Sequence, residues 1–174
     1  MSAERSASSE PSDIVLLCQR RRSVRRYTGE PIDPQTMQTI MEAGRWAATA
    51  NNRQARRFVL IPAGEELRAF VSKAKMQPFV ADAGVLVVGW ATIANSQGAA
   101  ADVIISLTQM EMAAVAAGLG TCWLGIFDQD IAAELIGGPA GGRVVCMLAI
   151  GHPADTGSPK PKLPREELFK TGTF

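Results

Sequence analysis

The sequence predicts an α/β or α+β protein, with helices on both sides of a short sheet. Short apolar runs bounded by Pro or Gly alternate with helical patterns along the chain. The run Gly84 to Trp90 is apolar throughout, as a strand covered on both faces has to be. The connections are irregular, and Gly-x-Gly-x-x-Gly never opens a helix after a strand, so a Rossmann-type dinucleotide fold is unsupported.

The elements follow in order. Met1 to Ser12 is polar, rich in Ser and without the apolar stretch of a signal peptide, and it reads as a disordered tail. Ser12 or Asp13 caps a first helix whose apolar stripe is Ile14, Leu17 and Cys18. Tyr27 to Pro31 is a loop. Asp33 and Pro34 start a second helix, a capping residue followed by proline at the first helical position, and Met37, Ile40, Met41 and Gly44 carry it toward about Ala48. Thr49 to Gln54 is a polar connector. Phe58 to Ile61 is a strand ended by Pro62, and Glu65 to Ala74 is helical.

After the strand at Gly84 to Trp90, Asp102 is the expected cap of a long helix ending near Ala117, with Gly118 and Gly120 as its stop. That helix is apolar on nearly all sides. Ser106, Thr108, Gln109 and Glu111 interrupt it, which argues against a membrane span and for a subunit interface. Thr121 to Ile126 is a strand-like segment, Gln129 to Ile136 a short helix, and Arg143 to Ile150 a buried strand closed by Gly151. Residues 13–174 read as a single domain, with 152–174 as a C-terminal extension rich in Pro, Gly and Lys.

At 174 residues the chain is long enough to bury a sizeable core. A formal net charge of +1 gives no overall pull toward nucleic acid or an anionic membrane. The positive charge is local: Arg20, Arg21, Arg22, Arg25 and Arg26 fall together, and Arg53, Arg56 and Arg57 form a second group. Cys18, Cys122 and Cys146 are far apart in apolar surroundings, against a structural zinc or iron–sulfur site. Buried free thiols suit a reducing cytoplasm.

The segment Arg21-Arg22-Ser23-Val24-Arg25 offers forked donors and a hydroxyl, the equipment a phosphate group needs. Taken alone, it reads first as a solvated basic helix end. Nucleic-acid binding lacks interleaved aromatics and a basic face elsewhere. Ala48 to Gln54 carries Asn and Gln amides able to read the edge of a heterocycle, or simply to satisfy their own loop. Gly118 to Gly125 lets the backbone approach a flat ligand with Trp123 nearby, or is a helix stop before a strand. Lys160 and Lys162 are an exposed basic tail, or close over an anion. The only histidine, His152, reads as an ordinary loop residue, and no hydrolytic constellation accompanies it. A chain so poor in acid–base groups still does redox work when a cofactor supplies the chemistry.

The order of these motifs resembles the FMN-dependent nitroreductase family. Arg-Arg-Ser-Val-Arg at Arg21 is followed by Glu42-Ala-Gly-Arg-Trp-Ala-Ala48, then Asn52-Arg-Gln54. Met112 to Gly125 and Ala149-Ile-Gly-His-Pro153 follow, then Lys160 and Lys162. The resemblance implies a three-layer, nitroreductase-like α+β fold with a central, mostly antiparallel sheet, paired into a homodimer across the long helix. It implies a cytoplasmic enzyme that holds FMN at the dimer interface. Hydride would pass from NAD(P)H through the flavin N5 to a small oxidised acceptor, nitroaromatic or quinone-like, in a ping-pong cycle. Nucleic acid and membrane are not expected partners, and no metal is implied. By the same resemblance Arg21, Arg22, Ser23 and Arg25 hold the phosphate and ribityl chain, and Lys160 and Lys162 complete the phosphate site. Thr49, Ala50, Asn52 and Gln54 reach the flavin from the other subunit. Trp123, Leu124 and Gly125 lie against the ring, the Gly125 amide near the N5/O4 edge. The residues 152–174 wrap the partner.

The chain departs from the family pattern in three places. Ala55-Arg56 stands where Pro-Trp is usual, so Arg56 is expected at the entrance or the partner contact. Gln77 is the one plausible flavin contact in Met76 to Phe79. The stretch between Trp90 and Asp102 is short, predicting an open pocket or a small lid at Ile93 to Gly98. A non-catalytic flavin-binding module and a specialised dehalogenase or flavin-fragmenting enzyme are the alternatives.

Overall fold

A computed structural model describes residues 12–173. The proposed tail at Met1 to Ser12 therefore lies outside the described residues except for Ser12. The order of elements is α1 (Asp13–Arg20), α2 (Pro34–Arg45), β1 (Arg56–Pro62), α3 (Glu65–Lys73), β2 (Val85–Ala91), α4 (Gln97–Ala116), β3 (Gly120–Leu124), α5 (Gln129–Leu135), β4 (Arg143–Gly151) and α6 (Arg165–Leu168). Two 3₁₀ turns, Ala50–Asn52 and Pro78–Asp82, interrupt the connections.

The four strands form one sheet in the order β1-β2-β4-β3, every pair antiparallel. The expected three-layer α+β arrangement is present. Alternate residues of β2 explain it, because successive side chains of a strand point to opposite faces. Val85 and Val87 pack under Ile40 of α2 and Val103, Leu107 and Met110 of α4. Leu86, Val88 and Trp90 pack on the other face with Leu67, Phe70 and Val71 of α3 and Ala132 of α5. All of β2 is buried, as its unbroken apolar run requires.

Local signals account for most boundaries. The Asp33 carboxylate accepts from the amides of Gln35 and Thr36, both at 3.0 Å, and caps α2. Gly118 sits at φ +79°, while the Leu119 amide returns to the Ala114 carbonyl at 2.9 Å, ending α4 in a left-handed cap. Gly120 is a close-approach position instead: a Cβ there would lie 2.8–2.9 Å from atoms of Val24.

Several boundaries differ from expectation. α2 ends at Arg45 rather than Ala48, and β1 begins at Arg56, before Phe58. The cap of α4 is Ser96, whose hydroxyl accepts from the Ala99 amide at 3.2 Å, so the helix starts ahead of Asp102 and buries that residue in its second turn. The Ile93 to Gly98 stretch is held at its start and runs into α4. The Ala94 amide donates to the Gly141 carbonyl at 2.8 Å, and the Arg143 Nε donates to the Ala94 carbonyl at 2.8 Å, so the connection is tied to the start of β4. The stripe of α1 is largely outward, with Ile14 74% exposed. Cys18 is exposed and only Cys122 is fully buried, which corrects the expectation of three buried thiols. α4 is long and apolar enough to cross a membrane by length and composition, but half of it is buried within the fold.

Candidate cofactor site

The arginine segment leaves α1 and runs along the free edge of β3. Its backbone is fastened there: the Val24 amide donates to the Thr121 carbonyl at 2.8 Å, and Ser23 bridges Thr121 in parallel. Val24 is buried as the anchor, which turns its neighbours Ser23 and Arg25 outward. The tail returns to the same place after β4. Tyr27 bridges Pro153, and the Ala154 amide donates to the Arg26 carbonyl at 2.8 Å.

Between the two segments opens a cavity of about 910 Å³. Arg21, Arg22, Ser23 and Arg25 line one side, and Ser158, Lys160 and Lys162 the other. Arg22 is partly engaged, donating to the carbonyls of Gln19 and Arg21 at the end of α1. Arg25, Lys160 and Lys162 have no ion-pair partner among the described residues. This donor set fits a phosphate monoester: several cations and a hydroxyl converge on one concave surface, from stretches far apart in sequence.

Arg21 has a second role. Its Nη1 lies 3.5 Å from the Glu111 carboxylate, which is buried toward the C-terminal end of α4. The same carboxylate accepts from Thr121 Oγ1 at 3.0 Å and from Trp123 Nε1 at 2.9 Å. Trp123 thus faces α4, while Leu124 turns its side chain into the opposite core and keeps only its backbone for a ligand. Gly125 is exposed, and a Cβ built on it meets nothing within 4 Å, so its backbone is open to a flat group.

The connector after α2 is strained and pinned. Asn51, Asn52 and Gln54 all have positive φ, at 50°, 53° and 52°. The Ala50 amide donates to the buried Asp102 carboxylate at 2.9 Å, and the Gln54 amide to Thr49 Oγ1 at 3.2 Å. Asn52 Oδ1 accepts from Gln54 Nε2 at 3.4 Å. Arg56 is not at an entrance. It is buried, and its Nη2 donates to the carbonyls of Gly44, Arg45 and Ala47 at 3.1–3.3 Å, closing the C-terminal end of α2. Burial lowers the affinity of its guanidinium for the proton, and the Asp102 charge opposes that.

Within one chain the predicted residues form two groups. Thr49 to Gln54 adjoins β1, and Arg21 to Arg25 adjoins β3, at opposite edges of the sheet. Three interstrand steps, roughly 14 Å, separate the edges. Gln77 is exposed beside the 3₁₀ turn on the face opposite α4 and lines neither group. Sequence reasoning missed Glu111 and Asp102 as anchors. Their signal was present: two carboxylates interrupting an otherwise apolar helix need buried partners.

Fold and cavity define a class, three-layer α+β proteins with a basic cavity at a sheet edge. Residues 18–85 and 70–152 match the model of the Nitroreductase family. The chain belongs to the nitroreductase family. It is 28% identical to an NADPH-dependent oxidoreductase of Staphylococcus epidermidis, over 91% of this chain and 73% of that one. It is 25% identical to an NADH dehydrogenase of Thermus thermophilus, over 90% and 94% of the two chains. A solved structure described as a nitroreductase from Desulfovibrio desulfuricans in complex with FMN matches at a TM-score of 0.81 and 28% identity, over 95% of this chain and 99% of that one.

Proposed function

We propose that this chain is an FMN-dependent oxidoreductase that draws electrons from NADH or NADPH and works as a cytoplasmic homodimer. The observation that carries the reading is the convergence of Arg21, Arg22, Ser23 and Arg25 with Lys160 and Lys162 on one cavity. The FMN named with a relative of the same size supports it, as do the nicotinamide donors named for two others.

FMN, when bound, supplies two-electron chemistry between the nicotinamide and a small oxidised acceptor, nitroaromatic or quinone-like. The residues of the chain bind and orient. Arg21, Arg22, Ser23, Arg25, Lys160 and Lys162 hold the phosphate and ribityl chain. Trp123, the Leu124 backbone and Gly125 flank the ring. Positive charge and the Gly125 amide favour added negative charge near it. Donor and acceptor take turns at the open face beside Gly125, which is the ping-pong order.

The opposite-edge placement of Thr49, Ala50, Asn52 and Gln54 supports their service to the site of a second copy. The exposed Ile104 and Ile105 of α4 support its role as the interface helix, with 152–174 wrapping the partner. All three cysteines are free, in keeping with a reducing compartment.

The test is the visible spectrum of the purified protein, with and without added FMN, followed by anaerobic titration with NADH and NADPH. A yellow protein bleached by either nicotinamide is expected. A protein that takes up no FMN sinks the reading.

A further inference from the structure

We propose that Glu111 is a positioning residue, which holds Arg21 against the phosphate cavity and ties it to the ring-side strand β3. The proposal rests on the FMN reading above and adds a residue to it. Glu111 is 4% exposed in the C-terminal third of the apolar helix α4. A carboxylate so placed is costly unless it is paired and hydrogen-bonded. Here it has three partners: Thr121, Trp123 and one cation, Arg21. Arg21 is the only cation in ion-pair distance of it among the described residues.

The consequence for the site is directional. An arginine on a flexible segment would sample many rotamers, and each phosphate contact would then cost ordering entropy. Glu111 removes that freedom before any ligand arrives. One guanidinium nitrogen, Nη1, faces the carboxylate at 3.5 Å, which leaves the other N–H donors for an anion. The other cavity cations, Arg22, Arg25, Lys160 and Lys162, are not shared with Glu111. The carboxylate therefore neutralises one charge of five and orders it. Trp123 donates to the same carboxylate, and Glu111→Gln keeps a side-chain oxygen able to accept that bond, so the lost charge reads on the phosphate end.

The test compares FMN with riboflavin, which lacks the phosphate. Affinities for both are measured by quenching of flavin fluorescence, in wild type, Glu111→Gln, Arg21→Lys and the double variant. Glu111→Gln keeps the shape and removes the charge. It is expected to weaken FMN by about tenfold and riboflavin by less than about threefold, the size of one charge-assisted contact. The double variant is expected to lose little beyond either single one, because both changes break the same link. If Glu111→Gln does not fold, FMN and riboflavin affinities are measured in Thr121→Val, which leaves the Arg21 pair in place and is expected to keep the wild-type ratio, whereas Arg21→Lys lowers it. An unchanged ratio of FMN to riboflavin affinity in Glu111→Gln, or in Arg21→Lys where Glu111→Gln does not fold, or equal loss of both ligands, overturns the proposal. Wild-type protein that binds neither ligand would instead overturn the FMN reading.

Discussion

The Asp102 carboxylate accepts the backbone amide of Ala50 at 2.9 Å across 52 positions of sequence. This one bond fixes a connector that carries three positive-φ side-chain residues. Its other oxygen, Oδ2, and the Arg56 Nε are both buried without a hydrogen-bond partner, and the two charges attract each other. Asp102→Ala should therefore cost about 2 kcal/mol, the usual penalty for orphaning buried groups. Arg56→Met should also destabilise, since the carbonyls of Gly44 and Arg45 in α2 and of Ala47 just after it lose their donor. The losses should not add, because each change strands the other charge. Urea unfolding of both single variants and the double one checks this. Strict additivity would show that the pair is not coupled.

Gly120 sets how closely the arginine segment lies on β3. A Cβ there would press on the branched, buried side chain of Val24, which has no long flexible end to swing away. Gly120→Ala is expected to cost about 1–3 kcal/mol by overpacking. It should also weaken FMN binding by shifting Ser23 and Arg25. Thermal melts and a flavin titration read the two effects, and wild-type values in both would contradict this account of Gly120.

The lysine pair gives a salt-dependent prediction. Lys160 and Lys162 are exposed, so their pull on a phosphate is screened. Replacing both by Ala should weaken FMN several-fold at low ionic strength, and the gap to wild type should close near 1 M salt. Riboflavin affinity should hardly change. A loss independent of salt would assign the tail a structural role instead.

The thiols should separate by reactivity and by pH. At pH 8 a thiol reagent is expected to titrate Cys18 quickly in the folded protein, and Cys122 and Cys146 only after denaturation. Burial pushes the Cys122 thiol up, and the Cys146 thiol up to about 11 from an ordinary 9.0. A raised folded value means the neutral thiol is favoured in the native state. That stability is fully present below pH 9 and is lost as pH rises through about 11. Cys146→Ala should flatten this part of the alkaline stability curve. A Cys146 as reactive as Cys18 in native protein would contradict the burial seen here.

The sequence was most legible where chemistry is local. Asp33 before Pro34 specifies a helix start whatever surrounds it, and the run from Gly84 to Trp90 can only be a strand buried on both faces. The basic and amide motifs named in the sequence are the two groups that lie at opposite edges of the sheet. What stayed hidden depends on partners distant in the chain. Asp102 has the side chain of a cap, but Ser96 takes that role, and a connector fifty residues earlier claims the carboxylate. Arg56 reads as a surface charge until the end of α2 is seen to fold over it. The ties of Ala94 to Gly141 and Arg143 leave no local trace in the sequence.

The nine-step interval from Asp102 to Glu111 acts as a ruler. At 3.6 residues per turn it spans about 900° of rotation and roughly 13.5 Å of rise, placing the two carboxylates on opposite sides of one rod. Inserting a single residue between them would swing one anchor by about 100° relative to the other. Only one of the two loops could then be held. Substitutions on the open face of α4 leave the gauge untouched, but a change in the length of this interval would put the two halves of the site out of phase.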